Sequence, residues 1–240
     1  MLEQDDLASR LRAAGDRWTT VSGTFRTWRD QPLVTRAFME WHGLDEQGAG
    51  RNRMRAVAVH EMPDAGPKVP VEHLLRVHAA ERGRRRRAEA LSRVGEMWMD
   101  DLVVVDEPWF WSRNGHRVQT NHGDRRTSHG GADFFLLLTP TDVPDGFDLS
   151  ATDETETVAG RACDLVVATP KERDPRGCTP GAEVFDMVSG GREFRFHLDQ
   201  ETSTLMRVTK LVDGAPAEVN EFLDIAFDEP VDDRLFQPLT

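Results

Sequence analysis

Residues 71–93 read VEHLLRVHAAERGRRRRAEALSR, and what they form decides the architecture of the chain. Leucine, alanine, glutamate and arginine all favour helix on propensity, and the density of charge suits a solvated helix. Two features oppose that reading. Gly83 interrupts the run, and the consecutive arginines from Arg84 to Arg87 leave no clean apolar stripe at helical spacing. Taken alone the stretch leaves helix and paired strands both open, so its surroundings must decide.

Toward the N-terminus, Leu7, Leu11, Ala14 and Trp18 recur at four- and three-residue spacing, which predicts a helix with one apolar face. Asp5 or Asp6 can cap it and Gly15 marks its end. Threonine- and valine-rich sequence from Trp18 to Trp28 predicts a strand. A second helix follows, with Asp30 at the cap, Pro32 in the first turn, and Leu33, Ala37, Phe38 and Trp41 on one side. Alternation over 53–61 predicts another strand, and 63–70 is a proline- and glycine-bearing connection.

Toward the C-terminus the sequence reads as short strands. Leu102 to Val105 and Trp109 to Ser112 flank an Asp106-Glu107-Pro108 turn, and Asn114-Gly115 turns the chain into Arg117 to Thr120. After a polar loop over 121–131 comes the apolar run Phe134 to Leu138. A hairpin is expected around Ala159-Gly160, then a strand over 183–188. The last third is a meander over 193–198, 205–212 and 218–227, with a turn at Asp213-Gly214.

Two stretches resemble the LolA/LolB-like lipoprotein-carrier superfamily. The first runs from Leu75 to Arg113: Val77-His78, an arginine-rich strand ending at Glu89, Val103-Val104-Val105-Asp106, then Trp109-Phe110-Trp111. The second runs from Phe196-His197-Leu198-Asp199 through Leu205, Arg207 and Asp224-Ile225 to Phe227-Asp228-Glu229-Pro230 and Phe236. The family's proline before the arginine-rich strand is replaced by Ala79-Ala80, and its aspartate-glycine turn by Asp106-Glu107-Pro108. A loop running from Thr120-Asn121-His122-Gly123-Asp124 to Ser128-His129-Gly130-Gly131 is similar to one in cytoplasmic actinobacterial relatives. The resemblance implies a mainly β, α+β fold. It is a strongly curved antiparallel sheet, a half-barrel whose concave face is lidded by helices and holds acyl chains, formed by residues 1–240 as one domain. It also resolves residues 71–93 as two paired strands turning at Gly83.

Composition narrows the function. The chain has 240 residues and a net charge of −12, with 30% charged residues. An acidic surface is the wrong complement for phosphates, so no nucleic-acid partner is expected. The one basic run, Arg82 with Arg84 to Arg87, reads as a solvated strand face in preference to an anion site. No apolar run is long enough to span a bilayer. The acidic start, Met1 to Asp6, has neither a basic nor an apolar leader segment, and two cysteines make no disulfide framework; both predict a cytoplasmic location.

Six tryptophans and twelve phenylalanines with no tyrosine supply flat apolar surface. Trp98, Trp109 and Trp111 cluster in sequence, and Trp109 and Trp111 share a strand face, either as core or as the wall of a ligand pocket with Arg113 beside them. On a later strand Arg195 and His197 share a face, which lines the cavity if Phe194 and Phe196 point away from it. His122, Asp124 and His129 are residue types suited to acid–base work, in a loop that glycines let bend toward a ligand. Their spacing fits no zinc motif, and no dinucleotide, P-loop or nucleophile-elbow signature occurs, so no cofactor or metal is expected. Two functions remain. The preferred one is a carrier that binds a largely apolar small molecule, lipid-like or polycyclic. The alternative is a cyclase- or isomerase-type enzyme using the same cavity with the loop histidines and aspartate.

Overall fold

The structure, a computed structural model, describes residues 4–42, 70–94, 100–122, 133–171 and 193–239. The predicted strands over 53–61 and 183–188 lie outside them. Helix α1 (Gln4–Ala13) carries Asp5 and Asp6 in its first turn and Arg10 and Arg12 in its last, an order that suits the helix dipole. It buries Leu7 and Leu11, and Arg10 reaches Asp164 at 3.0 Å. Strand β1 (Val21–Arg29) leads directly to α2 (Gln31–His42), whose start is capped by Asp30 accepting from the Leu33 amide at 3.1 Å.

Residues 71–93 are two paired strands, β2 (Val71–Ala80) and β3 (Arg85–Val94), as the resemblance implied. Tertiary pairing overrides propensity here: β1 binds β2 along its whole length, and β4 binds β3 over Arg85–Glu89. Val71, His73, Leu75, Val77 and Ala79 are all buried, the two-residue period of a strand. Gly83 makes the turn at φ +85°, where a Cβ would collide with the Phe135 ring. Most of the arginine run is spent on nearby acids. Arg85 meets Asp233 at 2.9 Å and Arg87 meets Glu89 at 3.0 Å, while Arg86 lies 4.2 Å over the Phe135 ring.

The remaining strands are β4 (Leu102–Asp106), β5 (Trp109–Asn114), β6 (Arg117–His122), β7 (Phe147–Val158), β8 (Arg161–Pro170), β9 (Glu193–Asp199), β10 (Leu205–Val212) and β11 (Ala215–Phe227). Between β6 and β7 lie α3 (Asp133–Leu138) and the single turn α4 (Val143–Gly146). The apolar run at 134–138 is thus helical. Among the described residues the strands make one antiparallel sheet in the order β6-β5-β4-β3-β2-β1-β11-β10-β9-β8-β7. Two meanders meet where β1 pairs with β11.

Val103 and Val105 of β4 and Phe147 and Leu149 of β7 stand near opposite ends of that order. They nevertheless belong to one buried cluster with Leu7, Leu11, Trp18, Phe134, Leu137 and Leu138. The sheet therefore curves around α1 and α3, which cover its concave face. A second, smaller cluster joins Leu33, Val34 and Ala37 of α2 to Val212 and Ala217. No helix among the described residues is long and apolar enough to cross a membrane.

Candidate functional site

Between those two apolar clusters the concave face changes character. The register sets His73 (β2) beside Thr27 (β1), Thr27 beside Asn220 (β11) and Asn220 beside Val208 (β10). The next rung holds Val71, Arg29, Glu218 and Lys210 in the same strands, and the rung on the other side holds Leu75, Phe25 and Phe222. Phe25, Leu75, Phe222 and Val208 all lie in the cluster under α1 and α3. Because side chains alternate, His73, Thr27, Asn220, Arg29, Glu218 and Lys210 point to that same concave side.

These are not surface groups. Thr27, His73, Lys210, Glu218 and Asn220 are each at most 2% exposed. Thr27 Oγ1 donates to Asn220 Oδ1 at 2.7 Å, and Asn220 Nδ2 donates to Glu218 Oε1 at 3.3 Å. Arg29 Nε donates to the same carboxylate oxygen at 2.9 Å. The chain satisfies these members internally, as buried polar groups require.

His73 is the exception. It is 1% exposed, and neither ring nitrogen has a hydrogen-bond partner among the described residues. Burial, then the nearby guanidinium groups of Arg93 and Arg29, push its pKa down to about 4. At neutral pH the ring is uncharged and holds one N–H donor and one lone pair, both unmet. Each such buried group costs about 1–3 kcal/mol. A native chain keeps such a defect where something else uses it.

The residues picked from sequence lie elsewhere. Val103, Val105 and Phe110 pack into the concave core, so alternation turns Trp109, Trp111 and Arg113 to the outer face. There Trp111 packs with Leu102, Val104 and Leu239 from the chain's last residues. Trp109 stacks on Trp111 with ring centroids 6.4 Å apart and meets His122 edge-on at 4.8 Å. The pair forms an aromatic patch at the sheet edge instead of an inner wall. Arg195 and His197 also face outward, because Phe194 and Phe196 take the concave side. His197 is held 3.1 Å from Glu156. It belongs to a charged ladder crossing the outer face through Arg207, Glu221, Arg26 and Glu72. Trp98, Asp124 and His129 lie outside the described residues.

The rim offers a cleft of about 380 Å³ lined by Arg17, Arg161, Phe227 and Asp228 among others. Arg161 is already held by Asp199 at 2.6 and 3.0 Å and by Glu201 at 2.8 Å. Among the described residues single buried atoms also go unmet at Arg26, His78, Arg85 and His197, but His73 alone lacks a partner at both ring nitrogens.

No family model matches the chain and no curated protein matches it. Solved structures do. The MucA/MucB complex of Pseudomonas aeruginosa matches over 99% of this chain and 61% of that one, at 17% identity and a TM-score of 0.48. The chain thus spans about three fifths of the MucB structure. The Mycobacterium tuberculosis lipoprotein LppX is 12% identical, with 96% of this chain and 99% of that one covered and a TM-score of 0.45. A LolA superfamily protein from Nitrosomonas europaea is 7% identical, with 99% of both chains covered and a TM-score of 0.35. A LolA superfamily protein is among the structures it is similar to. What its site does is decided by its own residues.

Proposed function

We propose that this chain is a binding protein that holds a largely apolar small molecule against the concave face of its sheet. The observation that carries this reading is His73, buried and without a hydrogen-bond partner among the described residues, in a polar band flanked by two apolar clusters. Ligand sites combine mostly apolar walls with a few placed polar groups, and this face has that make-up. The sequence resemblance to acyl-chain carriers points the same way. The enzyme reading is less well supported, since His122 is exposed on the outer edge beside Trp109, away from the band.

Native mass spectrometry of freshly purified protein tests the proposal. A co-purified small molecule, removable by organic solvent, is expected. Once stripped, the protein should bind long-chain probes saturably. Protein that is bare as purified and shows no saturable binding to alkyl alcohols, acids or esters would end this reading.

A further inference from the structure

Resting on that binding function, we infer that the concave band takes the carboxylate of an alkyl monocarboxylate, with the buried imidazole of His73 hydrogen-bonded to it and the apolar body lying along the neighbouring side chains. Three observations lead there. His73 is 1% exposed and has no partner for either ring nitrogen among the described residues, so a guest must bring polar atoms to it. Its cross-strand neighbour on β3 is Arg93, and Arg29 lies one rung away on β1. Both guanidinium groups keep acidic partners, Asp101 for Arg93 at 2.8 Å and Glu218 for Arg29 at 2.8 Å, yet both still act on the imidazole. A potential that disfavours a cation at this point favours an anion there. Finally, Val71 and Leu75 flank His73 on its own strand, and Phe25 stands opposite Leu75, so the ground beside the head group is apolar.

The chemistry is one of binding only. Among the described residues the imidazole N–H has nothing to donate to, and a carboxylate oxygen supplies an acceptor. The second ring nitrogen then gains by taking a proton from solvent, because an anion now faces it. Arg29 on β1, Arg93 on β3, Lys210 on β10 and Glu218 on β11 are the charged groups around this event. Uptake of the acid should therefore carry a proton with it, and uptake of an uncharged analogue should not.

Dodecanoate, dodecanol and methyl dodecanoate share one chain and differ at the head, so their affinities for solvent-stripped protein at pH 7 separate the possibilities. Dodecanoate is expected to bind at least tenfold more tightly than either analogue. The 15N signals of the His73 ring should move to the imidazolium position with the acid and stay put with the ester. His73→Leu should erase the preference for the acid while leaving the ester's affinity within about twofold, and His73→Gln should restore part of it. The ring signals are read on the wild-type protein, so they test the proposal even if a variant fails to fold. Equal affinities for all three probes, with no movement of the His73 signals, would overturn the carboxylate site and leave the apolar-ligand function standing. Dodecanol binding as tightly as the acid would replace the carboxylate by a hydroxyl and likewise overturn it. Binding of none of the three would remove the function and the head-group site together.

Discussion

Two histidines, His73 and His197, sit on opposite faces of the same sheet with almost the same burial, 1% and 4% exposed. Burial is the leading cause that lowers the pKa of each, and neighbouring arginines add to it, Arg93 and Arg29 for His73 and Arg207 for His197. They differ in company. On the outer face Glu156 accepts from His197 at 3.1 Å and pulls against that shift, inside a ladder where each charge meets its opposite. On the concave face the corresponding acid, Glu218, bonds with Arg29 and Asn220 instead of the imidazole. Burial by itself therefore says little about a histidine's use. The outer one bonds through Nε2 and leaves only Nδ1 unmet, whereas the inner one has no partner at either ring nitrogen among the described residues.

The contrast between faces should appear first in stability. Phe25 is fully buried, 5.3 Å from Phe222 and 6.4 Å from Phe134 between ring centroids, where β1 and β11 join the two meanders. Phe25→Ala is expected to cost about 3–5 kcal/mol, the usual range for emptying a phenylalanine site. On the outer face Arg195→Ala should stay within about 0.5 kcal/mol, since that side chain is exposed and its ion pair, with Glu193 at 3.6 Å, is a surface one. Urea unfolding of both variants measures the difference. Comparable losses would contradict a main core on the concave face.

The pH dependence sharpens the comparison at the histidines. The pKa of His73 in the fold, about 4, lies below its ordinary 6.5, so between those values the unfolded chain holds a proton that the native chain does not. Above pH 6.5 the ring is neutral in both states and its titration costs nothing; as the pH falls from 6.5 to about 4 protonation favours the unfolded chain and stability is lost. At about 1.36 kcal/mol per unit that amounts to ~3 kcal/mol. His73→Leu should remove this part of the acid sensitivity and, at pH 7, stabilise the ligand-free protein by about 1–3 kcal/mol by deleting an unsatisfied polar ring. His197→Leu should be neutral or destabilise by up to about 1 kcal/mol, because a formed hydrogen bond is lost. Denaturation midpoints at pH 7 and pH 4.5 for both variants decide it, and a His73→Leu protein less stable than wild type at pH 7 would mean the ring is satisfied after all.

Most of the fold was legible in the sequence, and the part that was not is instructive. Turns at Gly83, Asn114-Gly115, Ala159-Gly160 and Asp213-Gly214 all lie where local chemistry puts them, because a turn is decided by a few adjacent residues. The direction of Trp109 and Trp111 was not local information. Their shared face follows from alternation, but which side is concave depends on α1 and α3 packing against Val103 and Val105. The polar band was hidden more deeply. Thr27, His73 and Asn220 are far apart in sequence and meet only through the registers of β1 with β2 and with β11. Once 71–93 is read as strands, His73 falls on the apolar face with Val71, Leu75 and Val77, and that was the one available signal.

The smallest expected effect tests that reversal of the tryptophans. Trp109 is 46% exposed and touches Trp111 and His122, so Trp109→Ala removes aromatic contacts worth about 0.5–1.5 kcal/mol and little buried area. Its side chain points away from the concave face, because Phe110 between it and Trp111 packs with the core. Alkyl-chain affinity should accordingly stay within about twofold of wild type, while His73→Leu weakens the acid by tenfold or more. Trp111→Ala, which opens a buried contact with Leu102, Val104 and Leu239, should cost more stability than Trp109→Ala and be as indifferent to ligand. Titrations of the three variants with dodecanoate, set beside their unfolding curves, separate the two faces. If Trp109→Ala loses as much affinity as His73→Leu, the ligand lies along the outer aromatic edge, and the concave band is only a costly piece of core.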